Sequence, residues 1–323
     1  MSELTNTMQP VCVGRFVIEI PTVAKIESWR QEVLDTKIET ISPPSLNRNV
    51  FDAKVRQIDT KLHISPHKTD GVRLKSKIQL TTESVLFVYR ENATDISGYE
   101  LEAFFWKPEI EYKFNVSSTN KYLNETIADI SKAVKSFIAM PNKELLGGPP
   151  GFCIENGVFT DMDTGFRGED VYITGRIKEY PGLEFKFSTQ ATNRPDQDKT
   201  LIERIDNSFG LGDAMGKTMT ASTKFKRKGK RTLNGQKGEE FVAFVNIDGK
   251  KTIDATAEFY GEPNVLEKPY MQIELTYNPE NVPYQAPKGK AISDKDFMAL
   301  WDALLNGIKP RTSSLWGNGS IKK

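Results

Sequence analysis

The sequence predicts an α+β protein of two domains, each a mainly antiparallel sheet with one or two packed helices. Three observations carry that prediction. The chain has 323 residues, 38% of them hydrophobic and 10% aromatic, which is enough to bury a core and long enough to favour two domains over one. Many short stretches alternate apolar and polar residues, while helical stripes are few. The run Gly147-Gly148-Pro149-Pro150 interrupts the chain near its middle, which sets the predicted domains at residues 1–146 and 147–323.

In the first half, VCVGRFVIEI (Val11–Ile20) is β-rich and Pro21 stops it, so it reads as one strand. Residues 25–41 stay open between helix and strand: Ile26, Val33 and Ile38 allow a helix, whereas KIETI favours a strand. Phe51, Val55, Ile58 and Leu62 fall four, three and four apart, on one helical face, with Asn49 as the expected cap. Strands are then expected in ESVLFVYR from Glu83, GYELEAFFW from Gly98 and EIEYKFNV from Glu109, with Pro108 marking a hairpin. In the last of these, Ile110, Tyr112, Phe114 and Val116 alternate with Glu109, Glu111, Lys113 and Asn115, as in a sheet with one wet face. Leu123, Ile127, Ile130, Val134 and Phe137 form the stripe of a second helix, and Pro141 follows it.

The second half is richer in strand patterns: residues 152–154, 169–176, 182–187, 220–227, 240–246, 252–260 and 270–277. In the last, Met271, Ile273, Leu275 and Tyr277 share one face. Ser293 with Asp296 resembles a capping box, and Phe297, Leu300, Trp301, Leu304, Leu305 and Ile308 make the stripe of a closing helix that Pro310 stops. The remainder reads as a tail. No repeat of fixed period is visible, which argues against a solenoid or propeller.

Chemistry is sparse. GLGDAMGKT (Gly210–Thr218) ends like a phosphate loop, but three residues separate Gly212 from the Gly-Lys pair and five separate Gly210 from it, where the motif needs four. The two histidines, His63 and His67, flank Pro66 and read as surface loop residues rather than zinc ligands. Asp161 and Asp163 lack the further ligands of a calcium loop, since Tyr172 stands where its glutamate belongs. No Gly-x-Ser-x-Gly elbow occurs. No catalytic residue, metal site or cofactor is therefore expected, and a binding protein is favoured over an enzyme.

Forty-four Lys and Arg against forty-three Asp and Glu leave a net charge of +1, so no long-range field draws the molecule to nucleic acid or an anionic membrane. The local exception is KFKRKGKR (Lys224–Arg231), six basic residues in eight. It reads as an exposed hairpin tip, offset by Glu239 and Glu240. An alternative function follows from it: binding nucleic acid or another acidic partner through residues 224–231, although Phe225 is the one aromatic interleaved there. The start, MSELTNTMQPVCVGRF, shows no charged region followed by an apolar core, so the chain as written is expected to be soluble and to lack an export signal. Cys12 and Cys153 are either two buried thiols or one long-range disulfide.

VCVGRFVIEIP (Val11–Pro21), LEAFFW (Leu101–Trp106) and PGFCIENGVF (Pro150–Phe159) together resemble the type VI secretion system immunity proteins of the Tli family, which neutralise Tle phospholipase effectors. In that family a Cys-Val-Gly-Arg strand opens the N-terminal domain and a Gly-Phe-Cys segment the C-terminal one. The resemblance implies a stoichiometric inhibitor that binds a cognate lipase one-to-one, occludes it without turnover and protects the producing bacterium. It implies no nucleic-acid partner. Members carry a lipoprotein signal and act in the periplasm, which is the location implied here; the form as written, lacking that anchor, would stay in the cytoplasm. For an occluding surface the candidate contacts are Lys226, Arg227 and Lys228 in the basic hairpin, and Asp163, Phe166 and Arg167 in the turn-rich DMDTGFRGED. Cys12 and Cys153 each sit in a family-like domain opening, which makes them a candidate disulfide.

Overall fold

The computed structural model describes residues 3–42, 46–160, 168–194, 199–209, 222–247, 249–280 and 289–311. Strands β1 (Met8–Val13), β2 (Phe16–Pro21), β3 (Ala24–Val33) and β4 (Thr36–Ile41) precede helix α1 (Arg48–Ile64) and the two-residue strands β5 (Pro66–His67) and β6 (Gly71–Val72). Then come β7 (Leu74–Thr81), β8 (Ser84–Tyr89), β9 (Gly98–Lys107), β10 (Ile110–Thr119), α2 (Leu123–Ser136), β11 (Phe137–Ala139), α3 (Asn142–Leu145), β12 (Phe152–Ile154) and β13 (Gly157–Phe159). The chain continues with β14 (Glu169–Ile177), β15 (Leu183–Gln190), α4 (Leu201–Phe209), β16 (Thr223–Leu233), β17 (Gln236–Ile247), β18 (Lys250–Phe259), β19 (Tyr270–Tyr277), α5 (Asp294–Asn306) and β20 (Lys309–Pro310). The α+β class expected from the sequence is the class observed. The elements form two compact units: Met1–Trp29, Leu146–Pro150 and Asp170–Lys323 in the first, Arg30–Leu145 and Gly151–Glu169 in the second.

In the first unit, β14-β15-β19-β18-β17-β16 lie side by side, every described pair antiparallel. A smaller sheet, β1-β2-β20, packs beside it, the Phe16 ring of β2 centred 6.4 Å from that of Phe187 in β15. The expected strand Val11–Ile20 is in fact this β1–β2 hairpin, folded back at Gly14, whose φ of 59° lies in the left-handed region that glycine adopts at little cost. Alternation in β17 divides the core: Phe244 meets Phe297 of α5 on one face, while Phe241 and Ala243 pack with Leu201, Ile202 and Ile205 of α4 on the other. Helix α5 starts as expected, with Ser293 accepting from the Asp296 amide at 3.1 Å, and it buries Phe297, Leu300, Trp301, Leu304 and Leu305.

In the second unit the order is β4-β10-β9-β8-β7, with the end of β3 on β4. The open segment 25–41 is thus two strands, turning at Leu34 and Asp35 with φ of 52° and 57°. Helix α1 covers one sheet face through Phe51 and Leu62, which cluster with Val85, Phe87 and Phe104. Its cap is Asn47 rather than Asn49: the Asn47 side chain accepts from the Val50 amide at 3.1 Å. Phe105, Tyr112 and Phe114 point to the other face, around the ring of Phe137 just after α2. Helices on both faces explain why Ser84 through Val88 are all buried. They also correct the expected wet face of β10. Glu111 is 2% exposed, beneath α1, where Lys54 Nζ reaches it at 2.5 Å. Strand β12 pairs with β13, and β13 with β11, within this unit.

Candidate partner-binding surface

The basic run does not form a hairpin tip. It lies along β16, and the turn comes after it at Asn234-Gly235, whose φ values of 50° and 78° are those of a two-residue turn of the kind Asn-Gly favours. β16 ends the strand order of its sheet. Its register to β17 shifts between Phe225 and Arg227, so Lys226 is the extra residue of a bulge. Lysines and a bulge on a terminal strand have a structural account of their own, because they discourage indiscriminate pairing of sheet edges.

Alternation along β16 sorts the charges. Arg227 and Arg231 face α5, where Glu240 of β17 is nearly buried. Arg227 donates to Glu240 at 3.0 Å and to both oxygens of Asp302 at 2.5 and 2.8 Å. Arg231 donates to the second Glu240 oxygen at 2.7 Å, and the indole of Trp301 donates to the first at 2.6 Å. Glu240 is thereby held by three donors, as a desolvated carboxylate requires. The Asp302 hydrogen bond holds the Arg227 guanidinium above its ordinary pKa, with burial opposing and Glu240 assisting. On the opposite face Lys228 pairs with Asp206 of α4 and lies over the Phe225 ring. Lys226 stands over Phe244, its nitrogen 5.1 Å from the ring centre, and is exposed along with Lys224 and Lys230.

Of the candidate contacts, Arg227 is therefore engaged within the fold and Lys228 partly so, leaving Lys226 outward. Asp163, Phe166 and Arg167 lie outside the described residues, as do Asp161 and the Gly210–Thr218 segment. The histidines are not loop residues of one kind. His63 is on the last turn of α1 beside Asp59, whereas His67 is buried, with its Nε2 2.9 Å from the Asp95 carbonyl and its Nδ1 accepting the Asp70 amide at 3.1 Å. Sequence reasoning missed the group around Glu240, because Trp301 and Asp302 come from a distant helix. It also missed α4, although Thr200 and Glu203 form a reciprocal capping box readable in TLIE, with bonds of 2.8 and 3.3 Å.

Cys12 and Cys153 are buried, and neither is a free thiol. Among the described residues, no group of three or more His, Cys, Asp or Glu is placed to hold a metal ion, and no helix is long and apolar enough to cross a membrane.

Comparison with known proteins bears on the whole chain. The family model for the Tle cognate immunity protein 4 N-terminal domain matches residues 9–143, and that for the C-terminal domain matches residues 148–313. No curated protein sequence matches. Among solved structures, the apo immunity protein TplEi of the T6SS from Pseudomonas aeruginosa is similar with a TM-score of 0.78 at 21% identity, over 95% of this chain and 98% of that one. A chain of the Tle4-Tli4 complex is similar with a TM-score of 0.78 at 21% identity, over 94% and 97%. TplEi complexed with "L" peptide gives 0.74 at 20% identity, over 95% and 99%. At these identities the structures speak for the fold, and the family models for the kinship.

Proposed function

The chain belongs to the Tle cognate immunity protein 4 family, and from that membership we propose that it binds a cognate Tle lipase one-to-one and blocks it sterically, protecting the bacterium that makes both. The observation that carries this reading is the pair of family models, which together span nearly the whole chain. The fold it shares with a chain of the Tle4-Tli4 complex supports it. Capture by a broad surface needs no turnover, and the action is read as inhibition without catalysis. The division at Gly147 into residues 1–146 and 147–323 belongs to the same reading.

The outward-facing Lys226, with Lys224 and Lys230 beside it, is the part of the basic strand offered to the lipase. Asp163, Phe166 and Arg167 remain proposed contacts on sequence grounds. The nucleic-acid alternative gains nothing from the fold, since Arg227 and Arg231 are bound to Glu240 and Asp302 instead of facing outward. The working compartment is read as the periplasm. Two buried cysteines, neither a free thiol, suit an oxidising location, and a Cys12–Cys153 disulfide is part of the proposal. Alkylation of the denatured protein is expected to label neither cysteine before reduction and both after it.

The deciding experiment is co-expression with the lipase encoded beside this gene, followed by size-exclusion chromatography with light scattering. One-to-one co-elution is the expected result. Separate elution of the two proteins at micromolar concentration would overturn the proposal.

A further inference from the structure

Four large apolar side chains stand exposed where the second unit's sheet meets three of its loops. Ile64 ends α1 and is 75% exposed, Val72 of β6 is 36%, Ile96 of the β8–β9 loop is 58%, and Tyr122, the residue before α2, is 51%. All three loops emerge at the same end of the sheet, since β7 and β9 begin there and β8 and β10 finish there.

These loops are cross-braced by buried polar groups. Arg90, almost fully buried, donates to Asp70 at 2.7 Å, to the Gly98 carbonyl at 3.0 Å and to Asn120 Oδ1 at 3.1 Å, and its guanidinium lies 3.8 Å from the centre of the Tyr99 ring. One side chain thus ties residues 65–73, 90–98 and 119–122 together. His67 adds a second tie: its Nδ1 accepts from Asp70, so the ring proton sits on Nε2 and is donated to the Asp95 carbonyl. The Lys68 amide donates to the Ala93 carbonyl at 2.9 Å, and Asn120 Nδ2 to the Ile96 carbonyl at 2.7 Å. The nearby carboxylates have partners within the cluster, Asp70 in Arg90 and Asp95 in Ser97. Exposed charge around the cluster comprises Lys61, Lys68, Lys75 and Lys121 against Asp70, Glu91 and Glu125, and of the acids Asp70 is paired with Arg90, so the lysines outnumber the remaining carboxylates.

We propose that this braced loop cluster is a docking surface for an apolar patch with an acidic rim on the cognate lipase, a partner assignment that rests on the function proposed above. Loops already fixed lose little entropy on association. Exposed apolar groups gathered on rigid loops mark a contact surface more often than scattered ones do. Tyr122 supplies the amphipathic anchor common at such contacts, and the lysines supply charge complementarity to an acidic rim. The side chains project from separate braced loops and not from the apolar stripe of one amphipathic helix, which favours a shaped protein surface over a lipid bilayer.

The test uses the full chain and the lipase encoded beside it. The Ile64→Asp/Ile96→Asp double variant is expected to keep the wild-type melting temperature and to bind that lipase about a hundredfold more weakly or worse. Ile138→Asp, at an exposed site of the same unit outside the cluster, is expected to bind like wild type. Lys68→Glu with Lys121→Glu is expected to slow association, by less as salt rises. If the double variant melts lower, Tyr122→Ala carries the test with the same expected direction. Unchanged binding by the cluster variants, with wild type binding the lipase, overturns the surface alone. A wild-type chain that binds no lipase overturns the function and this partner with it. Equal lipase binding by wild type and variant, with only wild type sedimenting on phosphatidylethanolamine–phosphatidylglycerol vesicles, overturns the proposal in favour of a membrane contact.

Discussion

The basic strand β16 and the braced loop cluster solve opposite problems with the same chemistry. In β16 the conspicuous feature is charge, yet its arginines turn inward to hold the nearly buried Glu240 and the helix carrying Asp302. In the loop cluster the organising charge, Arg90, is hidden, and with Asp70 as its partner it braces loops that hold apolar side chains out in solvent. What a residue displays in sequence is therefore a poor guide to what it presents to a partner. A cluster of charge can be internal scaffolding, and an exposed isoleucine can be the part meant to be touched.

This contrast can be broken at its scaffolds first. Glu240→Ala leaves the Arg231 guanidinium and the Trp301 indole without the acceptor they share and leaves Arg227 with Asp302 alone, and it is expected to cost about 3 to 5 kcal/mol, read from denaturant unfolding of the first unit. Arg90→Ala removes the tie among three loops and strands Asp70; a loss of about 2 to 3 kcal/mol is expected. Its signature is faster amide exchange in residues 65–73 and 90–98, with β16 unaffected. A uniform change across both regions would show that the two scaffolds are not separate.

Smaller effects sharpen the comparison. Lys228→Ala breaks an exposed pair with Asp206 and should change stability by no more than about 1 kcal/mol. Lys226→Ala, at the outward bulge, should be neutral within about 0.5 kcal/mol, while lowering the rate of lipase association at low salt. Acid gives the mildest handle. The Arg90 hydrogen bond holds the Asp70 carboxyl below its ordinary 3.8. The stabilisation is therefore complete above that value and lost as pH falls through the lower folded-state value. Exchange in residues 65–73 should accelerate below pH 3.8 before it does in β17.

Local signals explain what the sequence could and could not disclose. Helix α5 was legible because its cap, stripe and stop are contiguous, and β19 because one face is buried and the other is not. Helix α4 carried an equally local signal in Thr200 and Glu203, but its apolar face is short and its interior polar. The hairpin tip was misplaced because six basic residues outweighed the plainer Asn234-Gly235 signal. The burial of Glu111 and His67 was not legible, since each depends on groups far along the chain: Lys54 for one, Asp95 for the other. The same holds for the site. The candidate lysines were visible as composition, whereas Arg227 and Arg231 are turned inward by Glu240 and Arg227 also by Asp302 of a distant helix, and the loop cluster exists through the reach of Arg90 across three loops.

The account stands on stoichiometric capture of a lipase. Titrating the lipase encoded beside this gene with the purified chain, while following phospholipid hydrolysis, tests it most directly. Activity is predicted to fall linearly and to vanish at one equivalent when the lipase is present well above the dissociation constant. Full hydrolysis persisting at several equivalents would contradict it.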